Sequence, residues 1–169
     1  EALTLYGRTL LQARRVEEAS STLERAAAAR PDDPRVLVAL GQVRFAQQRW
    51  GEAADMLGRA TAAGAGNGFV FGQLGFAQLA VNRNAEAVRS YERSIQMGMP
   101  PGPATRGVAY YNLACAYTRV GERDKAIEAL TRAVDEGFAD RAGMESDADL
   151  APLRDDPRFK QLLSRIGSR

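Results

Sequence analysis

Residues 34–67 read PRVLVALGQVRFAQQRWGEAADMLGRATAAGAGN, and the same pattern stands 34 residues earlier and 34 residues later. Gly7, Gly41 and Gly75 share one phase, each ending a similar phrase: Leu3-x-x-Tyr6-Gly7, Leu37-x-x-Leu40-Gly41 and Phe71-x-x-Leu74-Gly75. Ala19, Ala53 and Ala87 share another, each preceded by Glu and followed four residues on by Leu23, Leu57 and Tyr91. Ala26, Ala60 and Ser94 continue that phase. A fourth unit follows a short insertion, with Tyr110-x-x-Leu113-Ala114-x-x-Tyr117 and then Ala126, Leu130 and Ala133. Repetition at a fixed period means one supersecondary unit stacked several times, because each unit alone cannot bury its apolar face.

Spacings of three and four put Leu37, Leu40 and Gly41 on one helical face. A small residue at the crossing lets two helices approach to about 8–10 Å. Gly in a helix interior costs about 1 kcal/mol, and close packing is the compensation. Asp33-Pro34 supplies an N-cap with Pro at the first helical position. Gly121 ends one helix, and Glu122 and Asp124 start the next. Asn82-Arg83-Asn84 reads as a tight turn. Helices are predicted over 2–14, 16–29, 34–47, 51–63, 68–81, 84–97, 105–120 and 123–136. Gly64 to Gly68 and the run Met99-Pro100-Pro101-Gly102-Pro103 read as loops between units.

These residues resemble the tetratricopeptide repeat, which has a period of about 34 residues. The resemblance covers residues 1 to about 136 and implies an all-α, right-handed solenoid of four helix hairpins plus a C-terminal capping helix. The units are 1–33, 34–67, 68–101 and 107–136. One place that is usually aromatic in the family holds Leu10, Arg44, Gln78 and Tyr117. Residues 137–169 resemble the segment that closes many bacterial arrays. Asp156-Pro157 caps its last helix, and Phe159, Leu162, Leu163 and Ile166 share one face, which would cover the flank of the fourth unit.

The resemblance also implies a binding surface. The first helix of each unit lines a concave groove, and matching positions give the candidates Arg8, Arg35, Val38, Gln42, Phe45, Phe69, Phe76 and Tyr111, with Asn112 beside them. Leu79 and Cys115 fall in the same set. Phe69, Phe76 and Tyr111 are expected to be exposed anchors, since large exposed apolar patches mark interaction sites. Arg8, Arg35, Gln42 and Asn112 would fix register. Some members clamp a chaperone's terminal carboxylate with lysines at fixed places; here those places hold Thr4 and Arg8, or Val38 and Gln42, with Gln73, Val108 and Asn112 further on, so that clamp is not expected.

Composition narrows the chemistry. The chain has 169 residues, no His and a single Cys, Cys115. A His base, a Cys–His nucleophile, an intrachain disulfide and a cysteine zinc site are therefore excluded. No metal, cofactor or catalytic residue is expected. Gly64-x-Gly66-x-Gly68 lacks the strand a phosphate loop needs. Glu145-x-Asp147-x-Asp149 lacks the Gly and Glu of a calcium loop. The formal charge is +2, with acids and bases interleaved, a solvated surface rather than a nucleic-acid footprint. No apolar run is long enough to span a bilayer.

The expected partner is thus another protein or peptide. Self-association is the alternative, and a nucleic-acid-binding helical repeat comes behind it. Lys125 and Lys160 are the only lysines, an Arg bias that, with abundant Ala and Gly, points to a GC-rich bacterial source and a cytoplasmic or periplasmic setting. Glu1 enters a helical pattern with no initiator Met or signal peptide, as expected of a fragment or processed product.

Overall fold

Ten α-helices and one 3-10 segment occupy the computed structural model, which describes residues 1–98 and 105–166. They are α1 Ala2–Gln12, α2 Val16–Ala29, α3 Pro34–Ala46, α4 Trp50–Ala62, α5 Gly68–Ala80, α6 Asn84–Met97, α7 Thr105–Arg119, α8 Arg123–Asp135, α9 Arg141–Ser146 and α10 Pro157–Ile166, with a 3-10 turn at Ala148–Leu153. No strand occurs among the described residues. The expected loop from Met99 to Pro103 lies outside them. The chain divides into two compact units, Glu1–Asn82 and Arg83–Arg169.

In the first unit, α1 pairs with α2 and α3 with α4, and α5 packs on α4 and α3. Gly7 and Gly41 sit at the crossings of α1 with α2 and of α3 with α4. A β-carbon on Gly7 would stand 2.5 Å from Leu23 Cγ, and one on Gly41 would stand 2.7 Å from Leu57 Cδ2. A side chain at either place would force the facing leucine to shift. Around them Leu10, Ala19, Leu23, Ala39, Leu40 and Val43 form one buried cluster, and Ala53, Ala54, Leu57, Val70, Leu74 and Ala77 another.

The turns repeat as well. Arg14, Gln48 and Asn82 adopt φ of 58°, 59° and 60°, and they too are 34 apart. The N–H of Arg15 donates to Leu10 O at 2.9 Å and that of Arg49 to Arg44 O at 2.8 Å, the long-range bond that closes a helix through a left-handed residue. The following helices have no side-chain cap. Glu17, Glu18 and Glu52 in their first turns face the positive end of the helix dipole instead. α3 begins as expected, with Asp33 accepting from the Arg35 N–H at 2.9 Å.

The usual aromatic place in the second repeat is filled by Arg44, and its side chain is buried, 6% exposed. Its Nη2 lies 2.6 Å from Glu24 on α2, its Nε 3.1 Å from Glu52 on α4, and its Nη1 donates to Ser20 at 2.8 Å and Gln47 at 2.9 Å. A buried cation needs such partners. The network ties three helices where an aromatic ring would otherwise pack.

In the second unit, α7 packs on α6 and α8. Gly121, at φ +82°, makes the turn into α8. Ala87, Ser94, Ala126, Leu130 and Ala133 are all fully buried, so the repeat's small positions face inward here too. The C-terminal segment adds α9 and the 3-10 turn, beyond the helices predicted above. Asp140 caps α9 by accepting from the Gly143 N–H, and Asp147 starts the 3-10 turn by accepting from the Asp149 N–H. Asp156 caps α10 by accepting from the Arg158 N–H at 2.9 Å. Met144, Leu150, Leu153 and Phe159 are at most 1% exposed, and Leu162 and Leu163 are also buried. α10 lies on α8, and the 3-10 turn on α7.

Candidate functional site

Seven of the nine candidate groove residues belong to the first unit. Arg8 on α1, Arg35, Val38, Gln42 and Phe45 on α3, and Phe69 on α5 line a single open cavity of about 640 Å³. Leu11, Gln12, Val70 and Gln73 complete its walls, and Ala65, Gly66 and Asn67 form one edge. First helices of three consecutive repeats therefore meet at one pocket, because every 34 residues the same face returns. Asn67 fixes the start of α5, its side chain accepting from the Val70 N–H at 3.0 Å. Gly66 is close to Thr61 and Phe71. The glycine run is thus an inter-repeat turn.

The pocket's chemistry is uneven. Its charged side chains are Arg8 and Arg35; among the described residues no Asp, Glu or Lys lines it. Arg35 reaches Glu1 at 3.3 Å and Asp33 at 3.5 Å, and the Asp33 hydrogen bond leads the influences that raise its guanidinium above the ordinary value. The Arg35 backbone N–H, a separate bond, chiefly holds the Asp33 carboxyl below the usual carboxylate range. Further along, the Gln42 amide donates to the Gln73 side-chain oxygen at 3.0 Å, joining α3 to α5. At the apolar end Phe69 is 44% exposed. Phe76, 40% exposed, stands outside the lining and packs edge-on against Phe45 at 5.5 Å and Trp50 at 5.2 Å. Phe45 and Trp50 complete the triangle at 5.1 Å. Trp50 had no place in the candidate set. It opens α4, away from the helices the repeat positions pick out, so only tertiary packing reveals it.

Tyr111 and Asn112 lie on α7 of the second unit and are half-buried. Tyr111 is already engaged within the chain: its ring stacks on Phe138 at 4.5 Å, nearly parallel, and its hydroxyl donates to Asp147. Burial, then this bond to an anion, pushes the phenol well above its ordinary pKa. Cys115 is 3% exposed, with its sulfur 3.8 Å from the same carboxylate. Burial chiefly raises the thiol's pKa, the opposite of an activated nucleophile. The acids that suggested a calcium loop have protein partners: Glu145 with Arg141, Asp149 with Arg119 at 2.8 Å, and Asp147 with Tyr111. No cluster of metal-ligating side chains occurs among the described residues, and no helix there is long and apolar enough to cross a membrane.

A stack of helix pairs with a pocket lined by their first helices defines a repeat protein of the tetratricopeptide class. Models described as tetratricopeptide repeat match residues 10–70 and 109–142, together more than half of the chain. The chain belongs to the tetratricopeptide-repeat family. Its fold is similar to that of YrrB, described as a TPR protein with an unusual peptide-binding site. The TM-score is 0.79 at 16% identity, over 97% of this chain and 82% of that one. It is also similar to MamA, with a TM-score of 0.74 at 18% identity, over 95% of this chain and 91% of that one. A chloroplastic protein of Arabidopsis thaliana is 33% identical over 81 residues, 48% of this chain. The chain spans about a quarter of that relative's length.

Proposed function

We propose that the protein is a non-catalytic interaction module that holds a peptide or protein segment in the pocket between α1, α3 and α5. The observation that carries this reading is the pocket itself, where Val38, Phe45 and Phe69 are left accessible beside two arginines. An apolar surface kept open on a folded chain is the mark of a binding site. Burial of the Phe69 ring supplies affinity, and Gln42 and the arginines orient the ligand. The similarity to YrrB agrees with a peptide ligand. Residues 137–169, in the same reading, close the array by covering the apolar flank of α7 and α8.

The test uses the intact chain as bait, followed by titration of the captured partner. Phe69→Arg should weaken binding at least about tenfold while the helical spectrum stays unchanged. Arg25→Glu, on α2 and outside the pocket lining, should bind like the parent. Equal affinity of the parent and Phe69→Arg would place the interaction elsewhere. If the captured partner is a second copy of the chain, light scattering on dilution will show it.

A further inference from the structure

The two ends of the pocket ask for different chemistry. The Arg8 side chain makes no hydrogen bond or ion pair among the described residues. Arg35 meets Glu1 and Asp33 only at 3.3 and 3.5 Å, and both Arg35 and Glu1 are largely exposed. Asp33 is committed to the α3 N-terminus. Exposed pairs of this kind are screened by water and contribute little, so an incoming carboxylate can replace Glu1 at little cost. In the middle of the pocket, the Gln42–Gln73 bond uses one amide hydrogen of Gln42 and the oxygen of Gln73. That leaves the Gln42 oxygen as an acceptor and the Gln73 amide as a donor, the pair a peptide main chain needs. The far end is the face of Phe69 with Phe45 and Val38.

Building on the reading of this pocket as a peptide site, we propose that it takes an acidic–apolar polypeptide segment. An Asp or Glu side chain sits between Arg8 and Arg35, the adjoining main chain bonds to Gln42 and Gln73, and a large apolar side chain packs on Phe69. Arginine suits the acidic end because its planar fork matches a carboxylate. The absence of any acid from the lining makes a basic or neutral segment the poorer electrostatic fit.

A random-sequence peptide library displayed on phage separates this inference from the reading beneath it. Selection is run on the full chain, on the double variant Arg8→Glu/Arg35→Glu and on Phe69→Ser, each first checked for an unchanged helical spectrum. The full chain should enrich Asp or Glu next to a Leu, Ile, Phe or Trp. The charge-reversed variant should keep the apolar preference and exchange the acid for Lys or Arg. Phe69→Ser should lose the apolar preference. An enriched apolar motif with no acidic partner, indifferent to reversal of both arginines, overturns the acidic–apolar inference and leaves the pocket reading standing. No enriched motif, or one that neither variant alters, overturns both.

Discussion

Nη2 of Arg44 lies 2.6 Å from Oε1 of Glu24, so α3 is joined to α2 through a cation that is almost wholly out of water. The corresponding place in the first repeat is Leu10. Arg44→Met keeps most of the buried volume and leaves Glu24 and Glu52, whose side chains are 53% and 44% exposed, to water, whereas truncation leaves a cavity. Arg44→Met should therefore lose less stability than Arg44→Ala. Arg44→Ala should be destabilised by about 2–4 kcal/mol. Urea unfolding of both variants measures the difference, and equal losses would show that the charge itself matters.

Gly41 and Gly58 lie on neighbouring helices and should respond to Ala in opposite directions. A β-carbon at Gly41 would meet Leu57 side-chain atoms at 2.7 and 2.8 Å and its backbone N at 3.3 Å. Leu57 is fully buried and has nowhere to retreat. Such overpacking costs about 1–3 kcal/mol, more than the roughly 1 kcal/mol that Ala adds in helix propensity. At Gly58 nothing lies within 4 Å, so Gly58→Ala should stabilise by about 0.5–1 kcal/mol. Denaturation midpoints moving the same way for both would contradict the crossing geometry.

Phe159 tests the closing segment. Its ring is 1% exposed on a helix packed against α8, and Phe159→Ala should cost about 3–5 kcal/mol. Deleting residues 147–169 should uncover the faces of α7 and α8 on which the 3-10 turn and α10 lie and promote aggregation. A truncated chain that stays monomeric with its melting temperature intact would make the segment a dispensable tail.

Asp156 gives the acid side of the stability profile a named contributor. The Arg158 guanidinium, followed by the Arg158 backbone N–H, holds its carboxyl down at about 2. A carboxylate with a depressed folded value stabilises fully above its unfolded value, near 3.9, and loses that contribution as pH falls toward the folded one. Asp156→Asn keeps a capping oxygen without the charge. Its melting temperature should fall less steeply than the parent's between about pH 5 and 2. Parallel profiles would remove Asp156 from the acid transition.

The sequence displays its helices because the 34-residue register fixes which face of each is buried. The predicted helix ends lie within two residues of those observed, the excess falling in turns, as at Ala13, Arg14 and Gln47. α9 and the 3-10 turn escaped because they are short and carry no repeat phase. Position alone brought Arg8, Arg35, Val38, Gln42, Phe45 and Phe69 to one cavity. Position could not show that Arg44 is buried in a polar network, nor that Trp50 joins Phe45 and Phe76, since both depend on partners from other helices. Nor could it foresee that Phe138 and Asp147 engage Tyr111.

The contact of Cys115 with Asp147 makes the molecule its own reporter. Cys115 is the sole thiol in the chain and is buried, and that burial raises its pKa. A maleimide dye can modify it only after the 3-10 turn at Ala148–Leu153 lifts from α7 or the whole second unit opens. The labelling rate under native conditions then clocks that opening, one fluorophore per molecule, with no engineered cysteine. Raising the urea concentration distinguishes the two routes: local detachment labels at a rate nearly independent of denaturant, and global unfolding at one that climbs steeply with it.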